Sequence, residues 1–122
     1  MQKQLIYSLF LVVLLSACNN KPLPTLEGID MGAWKDDKNG CLNYRSQSIE
    51  ILIRQKEKLK SLDQQEIVRL LGRPDRNELY KRNQKFFYYL LEPGVDCGVD
   101  RQSRKLSIRF NAVELAKEIT IE

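Results

Sequence analysis

The sequence contains no histidine, so a chain of 122 residues lacks both the commonest general base and the commonest transition-metal ligand. Most hydrolytic and zinc chemistries lose a part, and the chain reads as non-catalytic, with no cofactor and no metal. Cysteine is scarce at three residues, and aromatic residues make up only 8%. Neither sign of charge dominates, with 20 basic against 16 acidic side chains. A pI near 9.0 is compatible with nucleic-acid binding. Long apolar runs are absent except for Leu5 to Leu15, which is interrupted by Ser8 and is too short to cross a bilayer comfortably as a permanent helix.

That one run, following Lys3, reads as the apolar region of an export signal. It ends in Leu15-Ser16-Ala17-Cys18, which resembles the lipobox of bacterial lipoproteins: a large apolar residue, two small ones and the cysteine that is modified. The resemblance implies cleavage after Ala17, and a diacylglycerol and an acyl chain such as palmitate on Cys18. More than one long acyl chain gives stable anchoring, at about 0.8 kcal/mol for each buried methylene. Asn19, standing where a retained inner-membrane lipoprotein would often carry Asp, implies onward sorting to the outer membrane, facing the periplasm. Export also separates the chain from nucleic acid. Without residues 1–17 the 20 basic side chains lose only Lys3, which leaves 19 against 16 acidic ones.

Residues 18–43 read as an anchored linker and lead-in, with Pro22, Pro24 and Gly28 breaking up little apolar density. Trp34 is expected to plug this lead-in onto the folded unit. The turn-rich stretch Asp36-Asp37-Lys38-Asn39-Gly40 superficially fits a calcium loop. Placing Gly40 at the sixth position, however, puts Lys35 first and Ser46 last, where Asp and a bidentate Glu are needed. With Cys18 acylated, Cys41 and Cys97 remain in an oxidising compartment and are expected to form a disulfide.

Residues 44–122 read as a single α+β domain: an N-terminal αα-hairpin packed on one face of a three- or four-stranded antiparallel sheet. Ile49, Leu52, Ile53 and Leu59 predict a first helix over 46–60. Lys56, Lys58 and Lys60 near its end either match the helix dipole or contact anionic lipid headgroups. Asp63 and Glu66 form a capping-box pattern, and Leu62 and Ile67 a hydrophobic staple. Gly72 and Pro74 stop the second helix. Beyond Asp75 the period becomes alternating and predicts strands at 79–82, 85–91 and 106–110. A last strand should turn Val113, Leu115, Ile119 and Ile121 to one side.

Phe86, Tyr88 and Leu90 lie on one face of the central strand and Phe87, Tyr89 and Leu91 on the other, yet two helices cover only one face. The open face is covered by the lead-in, by the 93–104 loop or by neighbouring charged stems, or it binds a partner. Phe87 and Tyr89, with Tyr80, are the candidate partner surface. Asp96 and Asp100 could serve a carboxylate-only glycosidase, but they read more simply as turn residues, in a domain too small for a substrate groove.

The lipobox, a short linker, two helices, Leu71-Gly72-Arg73-Pro74-Asp75 and an aromatic strand through Tyr88 and Tyr89 together resemble the SmpA/OmlA (BamE-like) group of small outer-membrane lipoproteins. They also resemble the helix-helix-sheet unit of β-lactamase inhibitor protein. The resemblance covers about 62–121 plus the lipobox. It implies a membrane-tethered protein that binds another envelope protein through its sheet face, in outer-membrane assembly or maintenance. The alternative expectation is a module for anionic lipid or a cell-wall ligand. No small-molecule substrate is implied.

Overall fold

A computed structural model describes residues 22–122. The expected signal peptide and Cys18 lie outside the described residues. Short helices come first, at α1 (Met31–Asp36), α2 (Tyr44–Gln47), α3 (Ile49–Gln55) and α4 (Gln64–Leu71). Four strands follow: β1 (Arg76–Tyr80), β2 (Gln84–Leu90), β3 (Lys105–Phe110) and β4 (Ala116–Ile121). They form one antiparallel sheet in sequence order, so the α+β class is as expected. Among the described residues no helix is long and apolar enough to cross a membrane.

Local chemistry sets the helix ends. The Asp63 carboxylate accepts from Glu66 N–H at 2.8 Å while the Glu66 carboxylate accepts from Asp63 N–H, satisfying two donors at the start of α4. Gly72 closes α4 at φ 83 and donates its N–H to Val68 O. The Lys35 ammonium caps the same end through Arg69 O at 2.8 Å.

The predicted helix over 46–60 is not continuous. Ser48 (φ −96, ψ −2) separates α2 from α3, and Gln55 (φ −120, ψ −2) ends α3 in a 3₁₀ turn at Lys56–Leu59. Helical spacing of apolar residues survives such kinks, because the face toward the core is kept. The lead-in also holds more structure than expected. Asp30 caps α1 by accepting from Gly32 and Ala33 N–H, and Leu26, Ile29 and Trp34 are buried in the core with α4 and the sheet. Trp34 is fully buried, as expected of a plug.

The last strand is shorter than its apolar pattern. Pairing shifts between Arg109 and Phe110, where Phe110 faces Ala116 and Arg109 faces Glu118. The extra residue reverses the side-chain alternation. Ala116 and Ile119 are buried, whereas Val113 is 71% exposed.

Candidate functional site

The helices cover the sheet face carrying Phe87, Tyr89, Leu106, Ile108, Phe110 and Ile119, all of them buried. This corrects the expected partner surface: Phe87 is 6% and Tyr89 0% exposed. The Phe87 and Phe110 rings meet edge to face with centroids 4.8 Å apart, and the Tyr89 hydroxyl donates to Gly72 O at 2.7 Å. Burial pushes the Tyr89 phenol well above its ordinary pKa. Both belong to the core, and Tyr89 ties the end of α4 to the sheet.

The same layer contains a buried ionic node. The Arg45 guanidinium, on α2, lies 2.6 Å from Asp75 Oδ2, with side chains 1% and 4% exposed. Its Nε donates to Trp34 O and its Nη1 to Leu90 O, and its plane rests 4.9 Å from the Trp34 ring centroid. Asp75 also accepts from Asn39 N–H at 2.9 Å and Leu90 N–H at 2.8 Å. The Asp37 carboxylate, fully buried, takes the N–H groups of Leu42 and Arg45. The segment after Gly72 therefore joins α1, α2 and β2 at one point. Cys41 and Cys97 lie beside it at disulfide distance, Cα atoms 5.5 Å apart, as expected.

The opposite, outer face is where the exposed chemistry gathers. Register places Glu78 opposite Phe86 and Arg76 opposite Tyr88, so these side chains share a face with Tyr80. Tyr80 meets Phe86 edge-on and Phe86 stacks on Tyr88, each pair with ring centroids 5.8 Å apart. Tyr80 is 54% exposed; Phe86 and Tyr88 are half-buried. The Lys105 ammonium sits 4.3 Å over the Tyr88 ring. The Tyr88 hydroxyl donates to Glu78 Oε2 at 3.2 Å. Partial burial, reinforced by the Glu78 carboxylate, raises the Tyr88 pKa above the ordinary phenol value. Glu78→Gln is expected to lower the Tyr88 titration midpoint toward that value, read by ultraviolet absorbance.

Next to Tyr88 a cleft of ≈ 640 Å³ opens between β1 and the 94–103 loop, lined by polar groups including Arg76, Asn77, Glu78, Asp96, Gln102 and Ser103. Arg76 and Asp96 pair across it at 2.6 Å. Asp96 is thus committed to a cation rather than set beside a second carboxylate, and among the described residues no three His, Cys, Asp or Glu side chains could hold a metal.

Of the three surface aromatics named from sequence, the outer face keeps only Tyr80 and adds Phe86 and Tyr88. A signal for this was present. Tyr80 and Gln84 close a hairpin with three residues between them, so Glu78 and Arg76 must share a side with Phe86 and Tyr88, and their charges mark it as the wet side.

The basic run is less free than its sequence suggests. Lys56 donates to Ile119 O, Lys58 to Thr25 O and Gln55 Oε1, and Lys60 pairs with Glu57 at 2.6 Å. The hydrogen bond from Lys60 holds the Glu57 carboxyl below its ordinary pKa. The hydrogen bond from Arg104 does the same for Glu92. Comparison with protein-family models, curated proteins and solved structures finds no match to this chain.

Proposed function

We propose that this is a non-catalytic, lipid-anchored envelope protein whose outer sheet face binds another envelope protein. The observation that carries the reading is the Tyr80-Phe86-Tyr88 ladder on the sheet face opposite the helices. Aromatic residues framed by ion pairs such as Arg76–Asp96 and Arg109–Glu118 are the composition of a protein-binding patch: large apolar contact at the centre, polar groups at the rim. The Cys41–Cys97 pair fits an oxidising compartment, and the lipobox-like Leu15-Ser16-Ala17-Cys18 supports attachment through Cys18 to the outer membrane, facing the periplasm. Resemblance to the SmpA/OmlA group supports a role in outer-membrane assembly or maintenance. The anionic-lipid alternative is weaker, because Lys56, Lys58 and Lys60 spend their charge on carbonyl and carboxylate groups of the fold itself.

The test is affinity purification of the tagged full chain from detergent-solubilised membranes. A stoichiometric partner protein is expected, and the double substitution Phe86→Ala and Tyr88→Ala should reduce its recovery about tenfold or more. Circular dichroism of the variant should stay unchanged. Recovery of nothing above background, or undiminished capture by the folded variant, would overturn the reading.

A further inference from the structure

The two edges of the sheet are not equivalent. The hydrogen bond from Leu91 N–H to Arg104 O fixes the parity of the β2–β3 ladder: Lys85, Phe87 and Tyr89 direct their backbone groups to β3, and Gln84, Phe86 and Tyr88 direct theirs to β1. On β1 the inward-directed residues are therefore Arg76, Glu78 and Tyr80. Asn77 and Leu79 point their N–H and C=O groups away from the sheet, and among the described residues those groups have no backbone or side-chain partner.

At the other edge, Lys105 and Glu122 exchange both backbone hydrogen bonds, so Ile119 faces outward. There the first half of the strand is covered, while Ile121 keeps its outward groups free among the described residues. Lys56 donates to Ile119 O at 2.8 Å, Ser61 N–H bonds Ala116 O, and Ala116 N–H bonds Leu62 O. One edge is partly covered by the chain's own 56–62 segment, and the other is open along its whole length. Every residue of the open strand is exposed, Leu79 to 77%, with no proline and no lysine to discourage pairing.

We propose that the β1 edge receives an extended segment of the partner protein as a fifth strand. This deepens the reading of the outer face as a protein-binding surface and rests on it. Charge argues against a second copy of this chain as the occupant. The antiparallel self-pairing that uses all four free backbone groups sets Asn77 against Leu79 of the other copy, which brings the two Glu78 side chains directly opposite each other. The chemistry of the edge instead selects a strand with a basic residue facing Glu78 on the outer side and apolar residues meeting Leu79 on the helix side. The outer-side residues of that strand would continue the row that holds Arg76, Glu78 and Tyr80.

The probe is a short acetylated peptide of alternating valine and lysine, added at millimolar concentration to the full chain in detergent. Amide exchange at Asn77 and Leu79 is expected to slow at least about tenfold. A backbone N-methylated twin of the peptide should produce no slowing. Leu79→Pro removes an N–H that the sheet does not use, a substitution that an edge strand tolerates. It should abolish peptide binding, while Leu79→Ala retains it. Unchanged exchange at Asn77 and Leu79, or equal binding by folded Leu79→Pro, would overturn the proposal; should that variant not fold, exchange in the unaltered chain decides alone. Capture of the membrane partner separates the two readings. If Leu79→Pro keeps the partner and Phe86→Ala with Tyr88→Ala loses it, the face stands and the edge falls. If neither face nor edge substitution affects capture, both fall.

Discussion

Arg45→Ala is expected to lower the unfolding free energy by about 3–5 kcal/mol, the range for breaking a buried ion pair from one side. In equilibrium urea denaturation the midpoint should fall, most of a small domain's stability being at stake. Truncation strands the Asp75 carboxylate at 4% exposure and removes the donors that serve Trp34 O and Leu90 O. It also opens a void against the Trp34 and Tyr89 rings. Replacing the pair together, as Arg45→Met with Asp75→Leu, should not restore stability, although such swaps succeed where a buried pair has no other duties. Here Asp75 is also the acceptor for Asn39 and Leu90 N–H, and both donors would be left without it. Full recovery in the double variant would show that the node is dispensable.

Cys41→Ser combined with Cys97→Ser is expected to cost about 4 kcal/mol, from the entropy the unfolded chain regains when a link across a sequence separation of 56 is removed. Thermal melts of the chain with and without reductant should give the same loss as the double substitution. A second consequence follows from position. Gly40, at φ 68, brings its backbone so close to the end of β2 that an added Cβ would lie 2.6 Å from Glu92 N and 2.9 Å from Leu90 O. The bond at Cys41 holds that contact, and Asn39 beside it donates to Asp75. Loss of the bond and loss of Arg45 therefore act on the same junction, and their effects should be non-additive by more than about 0.5 kcal/mol. Simple additivity would mean that the bond acts only on the unfolded chain.

Much of the local structure could be read from neighbouring residues because its causes are local. Asp63, Glu66, Gly72 and Pro74 delimit α4 through contacts within a few positions of each other, and the structure places that helix at Gln64–Leu71. The Cys41–Cys97 pairing followed from counting and compartment rather than from distance. The choice of sheet face did not follow. Phe87 with Tyr89 and Phe86 with Tyr88 are equivalent in size and polarity, and what distinguishes them is the hairpin register, which sets the charged Arg76 and Glu78 beside Phe86 and Tyr88. Arg45 itself was invisible as a core residue: a lone arginine in a polar stretch reads as surface, and its acceptors come from Trp34, Asp75 and Leu90, as far as 45 positions away. The outer ladder was half legible. Tyr80 is exposed as expected, but its neighbours on that face are Phe86 and Tyr88 rather than Phe87 and Tyr89, which only the hairpin register decides. In β4 a single extra residue at the bulge reversed the parity that Val113 and Leu115 had suggested.

The covalent tie between Cys41 and Cys97 also governs how the molecule bears load. Tension drawn between the two ends of the chain would travel from Cys41 straight to Cys97, bypassing α2, α3, α4, β1 and β2. The bypassed stretch could otherwise extend to about 190 Å, since each residue adds roughly 3.4 Å. With the tie intact that length stays reeled in, and a tug along the chain can peel away only the segments outside it. The aromatic ladder and the open strand both lie within the shielded portion, so the segments proposed to grip a partner are not themselves drawn out when the chain is pulled.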